Sequence, residues 1–169
     1  AVELLRKSQK INKGVDIKVK KNIPPASGLG GGSSNAACIL LGLNQLWHLG
    51  LSKRELMSYA KDLGSDVAFF MQKYPFALAS SRGDKINPLA SVRRKFWHIL
   101  VVPNKEIPTK TAYKLWDKNK NHGLTTAKRG VKITILALQQ NSLKLFAKGL
   151  FNSFSAISQR ICPDILKIR

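Results

Sequence analysis

The chain predicts an α+β fold, with strands and helices grouped rather than alternating as βαβ units. Three observations carry that expectation. The run "VDIKVKKNIP" (15–24) alternates apolar and polar residues just ahead of a glycine-rich stretch. The segment "PFALASSRGDKINPL" (75–89) reads as strand, tight turn around Gly83 and strand. From Ile107 onward the periodicity is helical. Together these predict a strand-and-loop-rich first domain over residues 1–92 and a helix-rich second domain over 93–169.

Taken in order, Val2 to Gln9 reads as the end of a helix. Val15, Ile17 and Val19 then share one face and Asp16, Lys18 and Lys20 the other, the mark of a half-buried strand. Pro24 and Pro25 end it, since proline donates nothing to a ladder. "SNAACILLGLNQLWHLG" is apolar nearly all round, which predicts a buried helix capped by Ser33 or Ser34, with Gly50 near its stop. Ser52 followed by Glu55 is a capping-box pattern opening another helix, and Gly64 fits its end. "SDVAFFMQ" starts a short helix with Ser65 or Asp66 as its cap. A basic connector, Val92 to Lys95, leads into the apolar run "FWHILVV", read as a strand. Helices are expected over roughly Thr109–Asp117, Lys132–Gln139 and Ser142–Gly149 or beyond.

Composition narrows the function classes. With 169 residues and 44% hydrophobic content the chain is long enough for one good core or two small domains. No apolar stretch approaches a membrane span and no secretory signal opens the chain, which begins at Ala1 as a fragment or processed product would. Cys38 and Cys162, in no metal-ligand spacing, suit a reducing compartment and a cytoplasmic location. The formal net charge of +20 is spread along the chain, densest in "KVKK" and "RRK", with no basic tail or interleaved aromatics. A solvated basic surface that helps a polyanionic small substrate is therefore preferred over a nucleic-acid groove, and no membrane partner is expected.

The chemistry concentrates in "PPASGLGGGSSNAA". A strand, a glycine-rich turn and a helix opening on serines favour phosphate, because glycines let backbone N–H groups approach an anion and the helix N-terminus adds partial positive charge. No Lys-Ser/Thr follows the last glycine, so this is not a Walker A loop. Ser33 occupies the place of the third glycine of the dinucleotide fingerprint. Asp66, in the small-residue turn of "LGSDVAFF", is placed either to accept a substrate proton or simply to cap its helix; from the residues alone, capping is favoured. His48, His98 and His122 are scattered, and Trp47, Trp97 and Trp116 read as core anchors. Cys38 reads as a small hydrophobe.

The loop resembles the phosphate-binding motif of the GHMP kinases. Its extra glycines and "SSNAA" are similar to one branch of that family, and "LGSDVAFF" and "RGDKINPL" follow in that branch's order. The resemblance is dense from Gly14 to Leu89 and thin beyond Lys118. It implies a GHMP-kinase-like α+β fold, with a ribosomal-protein-like α/β first part and a partial helix-rich second domain. It further implies transfer of the γ-phosphoryl of ATP, with Mg²⁺, to the 2-hydroxyl of cytidine-diphosphate methylerythritol. Pro24, Pro25, Ala26, Ser27, Gly28, Leu29, Gly30, Gly31, Gly32, Ser33 and Ser34 would hold the ATP phosphates, and Ser34 would approach Mg²⁺. Asp66 matches the family's catalytic aspartate. The family's motif with a catalytic lysine would lie ahead of Ala1 and its second glycine–serine loop past Arg169, so the match covers the middle of such a kinase. Ala68 stands where the family has proline, and "NSFS" (152–155) where it has Asn-Asp-Leu-Glu. Two other functions compete: a GHMP kinase acting on a different small alcohol, and a non-catalytic RNA-binding module of the related ribosomal-type fold.

Overall fold

The computed structural model describes residues 1–25, 27–92, 95–103, 105, 107–118 and 124–168, with side chains described for all of these except 124–127 and 168. The chain divides into two compact units, Ala1–Ala90 and Ser91–Arg169. Helices together with one small antiparallel sheet make the α+β class the sequence predicted.

In the first unit, α1 (Val2–Gln9), α2 (Gly31–Leu46), α3 (Lys53–Leu63) and α4 (Ser65–Phe70) surround one core. That core is built from Leu5, Ala37, Leu40, Leu43, Trp47, Leu56, Ala60, Val67 and Met71. Ala37, Leu40, Leu43 and Trp47 recur every three to four residues and so form one stripe along α2. This corrects the expectation of a helix buried all round: Leu41 and Leu46 are exposed, and so is Cys38. Each fully buried leucine in the stripe contributes about 1.5–3 kcal/mol relative to exposure. The α3 capping box forms as read: Glu55 N–H donates to Ser52 Oγ at 3.3 Å, while Ser52 N–H donates to Glu55 Oε2 at 2.8 Å. The Ser52 hydroxyl also donates to that carboxylate, at 2.6 Å, and these bonds hold the Glu55 carboxyl below its usual pKa.

The hairpin forms where predicted. Strand β1 (Ala77–Ser80) pairs antiparallel with β2 (Lys85–Pro88), Ala77 opposite Pro88 and Ser80 opposite Lys85. Gly83 sits in the turn with φ +92°, a left-handed conformation that suits glycine. The run from Val15 to Pro24, in contrast, is neither helix nor strand. Val15 reaches the core edge, but Ile17 and Val19 are 44% and 47% exposed. A strand exists only through hydrogen bonds to a neighbour, and among the described residues the one ladder is β1 with β2.

The second unit contains α5 (Thr109–Lys118), α6 (Leu124–Gln139), α7 (Leu143–Gly149), α8 (Ser155–Ile161) and a short 3₁₀ helix, Pro163–Ile168. Ser142 caps α7, its hydroxyl accepting from Leu145 N–H at 3.2 Å. Helices α6 and α7 meet through small residues: a Cβ on Gly149 would lie 2.5 Å from Thr134 Oγ1 and 2.7 Å from Thr134 N. Phe154 packs edge-on against Tyr113 and tilted against Trp116, and Phe96 stacks on Phe146. "FWHILVV" forms no strand, for the same reason as Val15–Pro24. Trp97 is fully exposed, against the expectation of a core anchor, whereas Trp47 is buried. Arg93 and Arg94 of the basic connector, and His122, lie outside the described residues. Among the described residues no helix is long and apolar enough to cross a membrane.

Candidate functional site

The glycine loop begins at Ile23 and is organised by its own backbone. Ser27 Oγ donates to the Pro24 carbonyl at 2.7 Å and accepts from Leu29 N–H at 3.4 Å, which closes a local turn. Gly28 and Gly30 both take left-handed φ values, +74° and +69°. Gly30 is the N-cap of α2, so the helix starts at Gly31, two or three residues before the serines expected to cap it. A glycine in that conformation turns the chain into the helix without help from a side chain, leaving Ser33 and Ser34 inside the first turn. The first intrahelical bond runs from Ser34 N–H to the Gly30 carbonyl at 2.8 Å. The N–H groups of Gly31, Gly32 and Ser33 thus remain orphan donors at the helix start, with no acidic residue in that turn and no side-chain cap. Ser34 Oγ donates to the Gly31 carbonyl at 2.9 Å, so its lone pairs rather than its proton face outward chemistry.

The loop's glycines divide into two groups. A Cβ on Gly30 would lie 2.7 Å from Phe70 Cε2 and 2.8 Å from Cζ, and one on Gly31 would lie 3.0 Å from Ile23 Cγ2. Those two are glycine because protein is already in the way. Gly28 and Gly32 have nothing within 4 Å of the corresponding position, so their backbone is open to a ligand.

Asp66 is the second residue of α4, whose N-cap is Gly64. Neither Ser65 nor Asp66 caps the helix, which corrects that expectation; the carboxylate is exposed and makes no hydrogen bond or ion pair among the described residues. Phe70, four residues later, is the ring under Gly30, so the helix bearing Asp66 abuts the glycine loop. From the other side Gly83 approaches Ser65, its Cβ position 3.6 Å from Ser65 Cβ. Asp84, next in that turn, lies 3.7 Å from Arg82 through Oδ2 and keeps Oδ1 buried without a hydrogen-bond partner.

The family profile described as GHMP kinases N terminal domain matches residues 1–73, the span that contains both the loop and Asp66. Along the whole chain the sequence is 32% identical to a 4-diphosphocytidyl-2-C-methyl-D-erythritol kinase of Ligilactobacillus salivarius (strain UCC118), covering 56% of that protein. It is 36% identical, again over its whole length, to the protein of that name from Shouchella clausii (strain KSM-K16), covering 54%. The namesake from Syntrophotalea carbinolica is 37% identical over 89% of this chain and 54% of its own length. The match to the GHMP kinase N-terminal profile is thus confined to residues 1–73, and the rest of the chain aligns with the kinases named above. The chain spans about half the length of the curated relatives it matches.

The structure gathers most of the residues singled out from sequence. Pro24, Pro25 and Ser27 to Ser34 lie in the loop and helix start, and Asp66 stands on the helix that touches it. Ala26 lies outside the described residues. The orphan donors and open glycines fit a phosphate chain. Among the described residues no group of three or more His, Cys, Asp or Glu could hold a metal ion. His48 takes a positive φ after α2, and His98 lies in the irregular run 96–102. Sequence reasoning passed over Phe70 and Ile23. Both look like ordinary apolar residues, and their role shows only where a glycine's missing Cβ makes room for them.

Proposed function

We propose that this chain carries the ATP-phosphate loop and the catalytic aspartate of a cytoplasmic kinase that phosphorylates the 2-hydroxyl of 4-(cytidine 5'-diphospho)-2-C-methyl-D-erythritol, a step of non-mevalonate isoprenoid precursor synthesis. Support comes from the names of relatives aligned along the chain and, above all, from one observation. The glycine loop with three orphan N–H donors rests on the helix that bears an exposed, unpaired Asp66.

In this reading the N–H groups of Gly31, Gly32 and Ser33, with the open backbone of Gly28, bind the ATP phosphates at the positive end of α2. Bound Mg²⁺ would neutralise phosphate charge, with the Ser34 hydroxyl oxygen as its protein-side neighbour. The acceptor hydroxyl oxygen attacks the γ-phosphorus, the bond from that phosphorus to the oxygen retained by ADP breaks, and Asp66 takes the hydroxyl proton. Little covalent chemistry is asked of the protein, so fixing these groups relative to one another supplies most of the rate. The +20 charge favours encounter with a triphosphate and a diphosphate alike.

Hydrogen exchange with and without millimolar ATP–Mg²⁺ tests the first half: the Gly28–Ser34 amides gain protection. Unchanged exchange at saturating nucleotide would remove the phosphate-loop assignment. Phosphorylation of the cytidine-diphosphate sugar alcohol by the full-length protein tests the second half. Transfer to another small alcohol in its place would redirect the substrate assignment within the family.

A further inference from the structure

We infer that Phe70 is a positioning residue for phosphoryl transfer, setting where the glycine loop sits relative to Asp66; this rests on the reading of those two elements as halves of one site. Phe70 and Asp66 are four residues apart on α4, so they share a helix face about 6 Å apart along the axis. The ring edge fills the space a Gly30 side chain would occupy, at 2.7 and 2.8 Å from the Cβ position. Gly30 is the residue that both caps α2 and turns the chain into it, so a shift there carries the orphan N–H donors with it. On the loop's other contact, Ile23 lies under Gly31, its Cγ2 3.0 Å from where a Gly31 Cβ would be. The support is itself held: Val67, Ala68 and Met71 are buried beside it, Phe70 packs against the core that contains Val67 and Met71, and Phe69 meets the Phe70 ring edge-on at 5.3 Å. The aromatic ring is flat and has only two torsions. A leucine at position 70 keeps the apolar character but withdraws the edge from under Gly30.

Loss of that support moves the phosphates relative to the base without removing any group that binds them. Displacement of about 1 Å at a reacting centre costs up to ~100-fold in rate. The test is steady-state kinetics of the full-length kinase carrying Phe70→Leu, with Phe70→Met as a second variant that restores side-chain length. For Phe70→Leu, kcat falls about tenfold or more while KM for ATP stays within about threefold, and ATP still protects the Gly28–Ser34 amides. Wild-type kcat in a folded Phe70→Leu protein overturns the proposal and leaves the phosphate-loop reading standing, whereas Phe70→Met should recover part of the lost kcat. Equal loss in kcat, ATP affinity and melting temperature in both variants also overturns it, showing plain packing. Should the wild-type protein itself show no ATP protection, the underlying reading fails and the proposal falls with it.

Discussion

Gly30→Ala offers the sharpest check on the division of the loop's glycines. Its added methyl would lie 2.7 Å from the Phe70 ring, well inside the 3.4–4 Å of ordinary van der Waals contact. The ring has its neighbour Phe69 against it and itself packs against the core of the first unit, so it yields little. Overpacking of this kind costs about 1–3 kcal/mol. Alanine at φ +69° adds about 1–2 kcal/mol, since the left-handed region crowds Cβ against the following carbonyl. The combined loss is roughly 2–5 kcal/mol. For a unit of this size each kcal/mol lowers the melting temperature by about 4–8 °C, so the drop should reach about 10 °C or more. Gly32→Ala, two residues on, meets open space in a helical conformation. It should leave the melting temperature unchanged or raise it slightly, because alanine forms helix better than glycine by about 0.5–1 kcal/mol. Thermal unfolding followed by far-UV circular dichroism compares the two directly. Equal melting temperatures for both variants would refute the claim that Gly30 is wedged and Gly32 free.

Other perturbations probe separate features. Gly32→Ala places its methyl where a phosphate oxygen would approach, so ATP affinity measured by calorimetry should fall about tenfold although the fold is unharmed. Asp66→Asn in the full-length protein should lower turnover by about 10²–10⁴-fold with ATP affinity and melting temperature nearly intact, since the carboxylate supports no cap. A marked loss of stability there would restore the capping role. The Glu55 carboxyl is held below its usual pKa in the folded chain, so its contribution to stability is present above the unfolded value and is lost as pH falls through the folded one. Urea titrations below pH 4.5, the ordinary value, should therefore show a fall in stability that Glu55→Gln reduces. Gly149→Ala drives a methyl into the Thr134 backbone and should destabilise the second unit by about 1–3 kcal/mol, read from urea unfolding.

The parts of the fold legible in the sequence are those whose causes are local. Ser52 and Glu55 announce α3 within four residues, Ser142 announces α7, and Gly83 marks the hairpin turn. The alternating run Val15–Pro24 and the apolar run Phe96–Val102 misled because a residue pattern describes only the chain's own faces, whereas a strand depends on a partner elsewhere in the chain. The start of α2 was displaced because a left-handed Gly30 does the work expected of a serine. Helix α8 was not foreseen: no side-chain cap opens it at Phe154, and its polar residues interrupt the apolar period. Within the candidate site the loop was visible from residue type and spacing, whereas Asp66 read from the residues as a helix cap and gained its proposed role only from the resemblance. Phe70 was not, since no pattern along the chain records which ring will lie beneath which glycine.

The contrast between Trp47, buried at 5% exposure, and Trp97, fully exposed, gives the two units different optical signatures. Trp47 should emit in the blue and resist iodide, and its emission should move to the red only when the first unit opens. Trp97 already emits from water, so its spectrum has almost nowhere to go on denaturation. Anything that comes to lie over the run from Phe96 to Val102 would instead shift it to the blue and shield it from the quencher. A Trp47→Phe, Trp116→Phe double variant would isolate that signal, making the exposed indole a built-in reporter for coverage of this segment.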